Sequence, residues 1–166
     1  MTDEEAAPAE RCYASAMRIL NLRWNSVVEL RRKLARKDFE PEVIEETLAR
    51  LTAEKWLDDE RFAAAFTRGR ARKRIGSRRI VRELGAAGVA TETAERIARE
   101  TVDPVAERDA MVALCQKKMR MIARRHGDDA LHSDDVRKKL SAYLLNHGYE
   151  MGDVIDVVRE CTRKTP

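Results

Sequence analysis

The apolar residues Leu30, Leu34, Phe39, Ile44 and Leu48 set a pattern that the chain repeats. Slid along itself, the sequence returns Ile80, Leu84, Val89, Ala94 and Ala98, and then Leu140, Leu144, Tyr149, Val154 and Val158, with the same internal spacing. Apolar residues three or four apart mark one face of a helix. An identical spacing met three times marks an internal repeat. Each set follows a further helical face: Tyr13, Ala16, Met17, Leu20 and Trp24; then Phe62, Ala65 and Phe66; then Met111, Leu114, Cys115, Met119 and Ile122. Every unit therefore reads helix, helix, turn, helix.

The turns have local causes. Gly88 and Gly148 stand where a helix must end in a left-handed residue, which glycine adopts without a Cβ clash. Asp38 fills that position in the first unit and tolerates it less well. The apolar residue after each turn should fold back over the one five before it: Phe39 on Leu34, Val89 on Leu84, Tyr149 on Leu144. Ser26-Val-Val-Glu29 is a capping box, so a helix starts there. Pro41 and Asp103-Pro104 mark two further helix starts. Gly85 and Ser141, inside helices, suggest close helix crossings, and His126–Ser133 reads as a polar loop.

The expected fold is all-α: three tandem three-helix repeats stacked into an elongated, curved, solenoid-like array. The expected division is a disordered acidic tail at 1–9, then repeats at 10–57, 58–102 and 103–166. Composition agrees, since 37% of residues are charged and only 5% aromatic, which favours helices over sheets. Cys12, Cys115 and Cys161 form no CxxC pair and read as core residues of a reducing compartment. No apolar run is long enough to span a membrane, and the acidic start is unlike a secretory signal. A cytoplasmic monomer is expected.

Charge then changes the picture. The net charge is +4, yet Asp3, Glu4, Glu5 and Glu10 crowd the start with no base among them, so the remainder is more basic than the total. The bases concentrate in Arg68, Arg70, Arg72, Lys73, Arg74, Arg78, Arg79 and Arg82, a block with no carboxylate inside it and a Gly76-Ser77 turn within it. An ordinary solvated helix face mixes signs so that i,i+4 pairs form. This block should instead repel itself until an anion arrives. Lys117, Lys118, Arg120, Arg124 and Arg125 form a second cluster, and Arg137, Lys138 and Lys139 a third. Arginine in such excess suits bidentate contact with phosphate or carboxylate. No aromatics are interleaved, so a base-stacking platform is not indicated.

Catalytic signals are absent. There is no GxxxxGK[ST] or GxGxxG, and His126, His132 and His147 have no ligand-like spacing. Asp58-Asp59-Glu60 reads as a helix N-cap with first-turn acids, not as a metal cage or acid–base pair. No catalytic residue, metal or cofactor is expected.

The chain also resembles the RecX family of bacterial recombinase regulators. The likeness lies in AMRILNLRWNSVVELRRKLARKDFEPEVIEETLARL, in WLDDERFAAAF, and in Gly76 and ELGAAGV; VRKKLSAYLLNHGYEMGDVIDVV fits more loosely. Its most specific part is the junction of Trp56, Leu57, Asp58, Asp59, Arg61 and Phe62, where Trp56-Leu57 should close the seam between the first two repeats. Two departures are Asp38, where the family tends to have glycine, and Glu54-Lys55 before Trp56, where a glycine is common. The resemblance implies a non-catalytic protein of tandem three-helix units. It implies binding to RecA recombinase and its filament on single-stranded DNA, limiting filament extension and lowering ATPase, strand exchange and co-protease activity. The arginine block, with Lys117, Lys118, Arg124, Arg125, Arg137 and Lys138, is read from the residues as the surface for recombinase and DNA, single-stranded or double-stranded. The alternative is a direct DNA-binding protein with helix-turn-helix-like repeats.

Overall fold

The computed structural model describes residues 7–127 and 131–163. Its described residues form α-helices and no strand: α1 (Pro8–Leu20), α2 (Val27–Ala35), α3 (Pro41–Ala53), α4 (Asp59–Arg72), α5 (Ser77–Ala86), α6 (Thr91–Thr101), α7 (Pro104–His126), α8 (Asp134–His147) and α9 (Met151–Cys161). Their order repeats the helix, helix, turn, helix sequence three times. Two compact units gather them, one of residues 1–66 with 84–97, the other of residues 67–83 with 98–166. The first of these includes α1–α3, and the second includes α7–α9.

In the first unit α1, α2 and α3 pack on one another around Cys12, Ala16, Leu30, Leu34, Ile44, Leu48, Leu51 and Leu57. In the second α7, α8 and α9 enclose Met111, Leu114, Cys115, Val136, Leu140, Leu144, Tyr149, Val154, Val157 and Val158. Each fully buried aliphatic side chain contributes roughly 1.5–3 kcal/mol over its exposed state. Every position of the triple pattern is buried except Phe39, which is partly covered and packs on the first core.

The turns follow the stated physics. Gly88 and Gly148 have φ +89° and +91°. The Val89 amide donates to the Leu84 carbonyl at 3.1 Å, and the Tyr149 amide to that of Leu144 at 3.4 Å. Asp38 is also left-handed, at φ 60°. So are Lys55 and Arg74, where the Trp56 amide reaches the Leu51 carbonyl at 2.9 Å and the Ile75 amide that of Arg70 at 3.2 Å. These are the same helix stops built without glycine.

A second regularity lies in what grips each glycine turn. In the first unit the Ser26 hydroxyl donates to the Ala87 carbonyl at 2.5 Å, and Asp59 accepts the Val27 amide at 2.9 Å. A Cβ on Gly88 would meet the Val28 side chain at 2.3 Å. In the second unit the Gly76 amide donates to the His147 carbonyl at 2.9 Å and the Arg78 amide to that of Gly148 at 3.1 Å. Glu107 accepts the Ser77 amide and hydroxyl, both at 2.7 Å. A Cβ on Gly148 would meet the Cβ of Arg79 at 2.1 Å and its amide nitrogen at 2.7 Å. In both places the start of a triplet's second helix holds the glycine turn of the next triplet, and an acid from that next triplet takes its first amide.

Several expectations need correction. Residues 1–6 of the expected tail lie outside the described residues, but Pro8 and Ala9 already belong to α1. Trp24 lies beyond the end of α1, 39% exposed, with the Arg61 guanidinium 5.9 Å from its ring. Trp56 is 50% exposed and closes no seam, while Leu57 is buried in the first core. The capping box is half formed: the Ser26 hydroxyl accepts from the Glu29 amide at 3.0 Å, while the Glu29 carboxylate turns to Arg23 at 2.9 Å. Gly85 is no close crossing, because nothing lies within 4 Å of a Cβ there. Gly76 is the close approach instead, its Cβ position 2.4 Å from the Gly148 carbonyl oxygen. Part of the polar loop, 128–130, lies outside the described residues.

Candidate partner-binding surface

All the basic residues singled out by the sequence, Arg68 to Arg82 and Lys117 to Lys138, fall in the second unit. α4 carries Arg68, Arg70 and Arg72 and stops in the left-handed Arg74. α5 then starts at Ser77 and carries Arg78, Arg79 and Arg82. The turn between them is fixed by the Gly76–His147 bond and by the Tyr149 hydroxyl, which donates to the Arg74 carbonyl at 3.0 Å. Burial pushes the Tyr149 phenol up to about 12.

The block is not uniform. Glu83, one residue past its end, is flanked by Arg79 Nε at 2.8 Å and Arg70 Nε at 2.7 Å. Arg78 faces Glu150 at 3.4 Å, an exposed pair of small energetic value. Arg70, Arg78 and Arg79 therefore depart from the expectation of an unpaired ridge. The i,i+4 relation of Arg79 to Glu83 was available in the sequence to any reading that did not stop at Arg82. The guanidiniums of Arg68, Arg72, Arg74 and Arg82 and the Lys73 ammonium have no ion pair or hydrogen bond among the described residues. Arg68, Arg72, Lys73, Arg74 and Arg82 are all exposed.

The other basic clusters divide similarly. Arg137 pairs with Asp134 at 3.0 Å and reaches the Thr162 hydroxyl at 3.4 Å. Lys139 pairs with Asp135 at 2.6 Å. The Lys118 ammonium lies 5.3 Å from the Tyr143 ring centre. Lys117, Arg124, Arg125 and Lys138 are exposed on α7 and α8.

The acidic junction does structural work. Asp58 accepts the Glu60 and Arg61 amides at 2.9 and 3.0 Å, as an N-cap should. Asp59 is spent on Val27, and Glu60 pairs with Arg96. Phe62 is buried beside Phe66, ring centres 5.7 Å apart. No group of His, Cys, Asp and Glu able to hold a metal occurs among the described residues. One adjacency escaped the sequence: the free thiols of Cys115 and Cys161 interact. The neighbouring Cys161 and burial hold Cys115 well above the usual thiol range, and the neighbouring Cys115 lowers Cys161. Separate helices bring the two together, so no local spacing could show it.

Helical triplets with mutually gripping turns and an arginine-rich surface define an all-α protein of tandem three-helix domains. Comparison with known proteins narrows the class. The family model for the first three-helix domain of RecX matches residues 12–51, and that for the second matches residues 58–96. A "Regulatory protein RecX" of Corynebacterium efficiens is 36% identical over 146 residues, covering 87% of this chain and 69% of the relative. Its namesake in Escherichia coli (strain SE11) is 32% identical over 159 residues, covering 90% of each. Among solved structures, RecX from Lactobacillus salivarius superposes with a TM-score of 0.77 at 20% identity, covering 93% of this chain and 96% of that one. The chain belongs to the RecX family. α7, α8 and α9 lie beyond the two matched stretches. No described helix is long and apolar enough to cross a membrane.

Proposed function

We propose that this protein is a negative modulator of RecA recombinase, acting in the cytoplasm on RecA and its filament on single-stranded DNA. It limits filament extension, and so lowers ATP hydrolysis, strand exchange and co-protease activity. We take residues 10–57, 58–102 and 103–166 as three repeats of one design. Family membership supports the target, because curated relatives are named regulatory proteins. The observation that carries the contact surface is the set of exposed cations without internal partners: Arg68, Arg72, Lys73, Arg74 and Arg82. A nucleoprotein filament offers both carboxylate and phosphate to such a set.

The test is the ATPase of the cognate recombinase on excess single-stranded DNA. The parent protein should suppress it at substoichiometric amounts. Arg68, Arg72 and Arg82 changed together to Glu should abolish suppression while the circular dichroism of the helices stays unchanged. Arg70 is left alone, because reversing it would also set two acids against each other at Glu83. Suppression equal to the parent's would remove the arginine surface from the mechanism.

A second reading, direct DNA binding by helix-turn-helix-like triplets, draws on the arginines that flank the α4–α5 turn. It requires affinity to fall by about 0.7–0.9 log units per log unit of salt for each phosphate neutralised. It also requires binding to DNA without recombinase.

A further inference from the structure

Beside the α4–α5 turn the second unit holds an open cavity of about 390 Å³. Ala71, Ile75, Val102 and Ala106 give it an aliphatic floor, and Arg68, Arg72 and Arg74 stand around it. Two carboxylates also line it, and both are engaged. Asp103 accepts the Val105 amide at 3.0 Å, and Glu107 holds the Ser77 amide and hydroxyl. The three guanidiniums have no internal partner among the described residues. The volume is that of a site for one side chain or a small ligand.

We propose that this cavity is a docking site for an acidic peptide segment of a protein partner, with one aliphatic side chain on the floor and flanking carboxylates on Arg68, Arg72 and Arg74. Charge complementarity argues for the acid, since three cations line the cavity and its two acids already hold the amides of Val105 and Ser77. The floor argues for the anchor, since aliphatic burial is what it can reward. It also argues against a nucleobase. The one aromatic in the wall is Tyr149, which is buried and uses its hydroxyl on Arg74, so no ring face is open for stacking. The proposal rests on reading the arginines as a contact surface and adds the kind of epitope they meet. It turns charge-only attraction into recognition of an apolar residue within an acidic stretch.

Fluorescence anisotropy with the full chain tests it without recombinase. The probes are a short fluorescein-labelled peptide of alternating Glu and Asp around one central Leu, the same peptide with Gly in place of Leu, and a labelled oligo-dT. The Leu peptide should bind about tenfold or more tightly than the Gly peptide. Ala106 is exposed, so Ala106→Trp fills the cavity without touching the core. It should erase the Leu preference and leave oligo-dT binding unchanged. Arg72→Glu should weaken both peptides. Equal binding of the Leu and Gly peptides would overturn the proposal, and so would an Ala106→Trp variant that keeps the preference. Loss of oligo-dT binding in Ala106→Trp would assign the cavity to nucleic acid instead. Because the ATPase assay is separate, the anchor can fail while the arginine surface stands.

Discussion

The two grips on a glycine turn solve one problem with different chemistry. At the first, Gly88 is approached by a side chain, that of Val28, and the Ser26 hydroxyl and Asp59 supply the polar bonds. At the second, Gly148 is approached by the backbone and Cβ of Arg79, and the bonds come from the Gly76 and Arg78 amides. The second adds main-chain bonds to the side-chain contacts of Glu107, and Arg78 and Arg79 stand on the same short stretch. The arginines of that helix start are engaged, Arg78 with Glu150 and Arg79 with Glu83, and the cations without an internal partner among the described residues flank it at Arg68, Arg72, Lys73, Arg74 and Arg82.

The largest expected effect would break that contrast. Gly148→Ala meets backbone and takes a left-handed φ, and should cost about 3 kcal/mol. Gly88→Ala meets a side chain able to shift, and should cost less, about 2 kcal/mol. Equal losses in denaturant melts would mean the two grips are mechanically alike.

Next in size is the alkaline response of the second grip. Buried Tyr149 titrates near 12, above the ordinary tyrosine value of about 10. A raised folded value means its stabilisation is complete below about pH 10 and is lost as pH climbs through about 12. Melting temperature should fall across that window, and Tyr149→Phe should flatten the fall. The same variant loses the bond to the Arg74 carbonyl, costing about 1 kcal/mol at neutral pH. An alkaline slope identical to the parent's would remove Tyr149 as its source.

The smallest effects concern the Asp38 turn, which no described residue grips as Gly88 and Gly148 are gripped. Asp38 is exposed and left-handed with φ 60°, so its only cost is conformational. Asp38→Gly should gain at most about 1 kcal/mol. Gly85→Ala, in open space within α5, should gain a similar amount from helix propensity. A fall in melting temperature for either variant would contradict the open surroundings described for these two residues.

The triple apolar register was legible because burial demands it locally, helix by helix. The turns at Gly88, Gly148 and Asp38 were legible for the same reason. What escaped was set by distant residues. Glu107 closing the start of α5, Gly76 pressed on Gly148, and the free thiol of Cys115 beside that of Cys161 each join positions far apart in sequence. Lys55 and Arg74 took left-handed conformations that their side chains disfavour, so composition gave no cue. The arginine block was visible as charge. Its division into residues tied to Glu83 and residues left over depended on which way each helix face turned.

The ungripped Asp38 turn also sets a rule for lengthening this protein by design. A helical triplet spliced ahead of α1 would look for bare main chain at that turn and meet a carboxylate-bearing side chain. Glycine at that position is the first edit such a fusion needs.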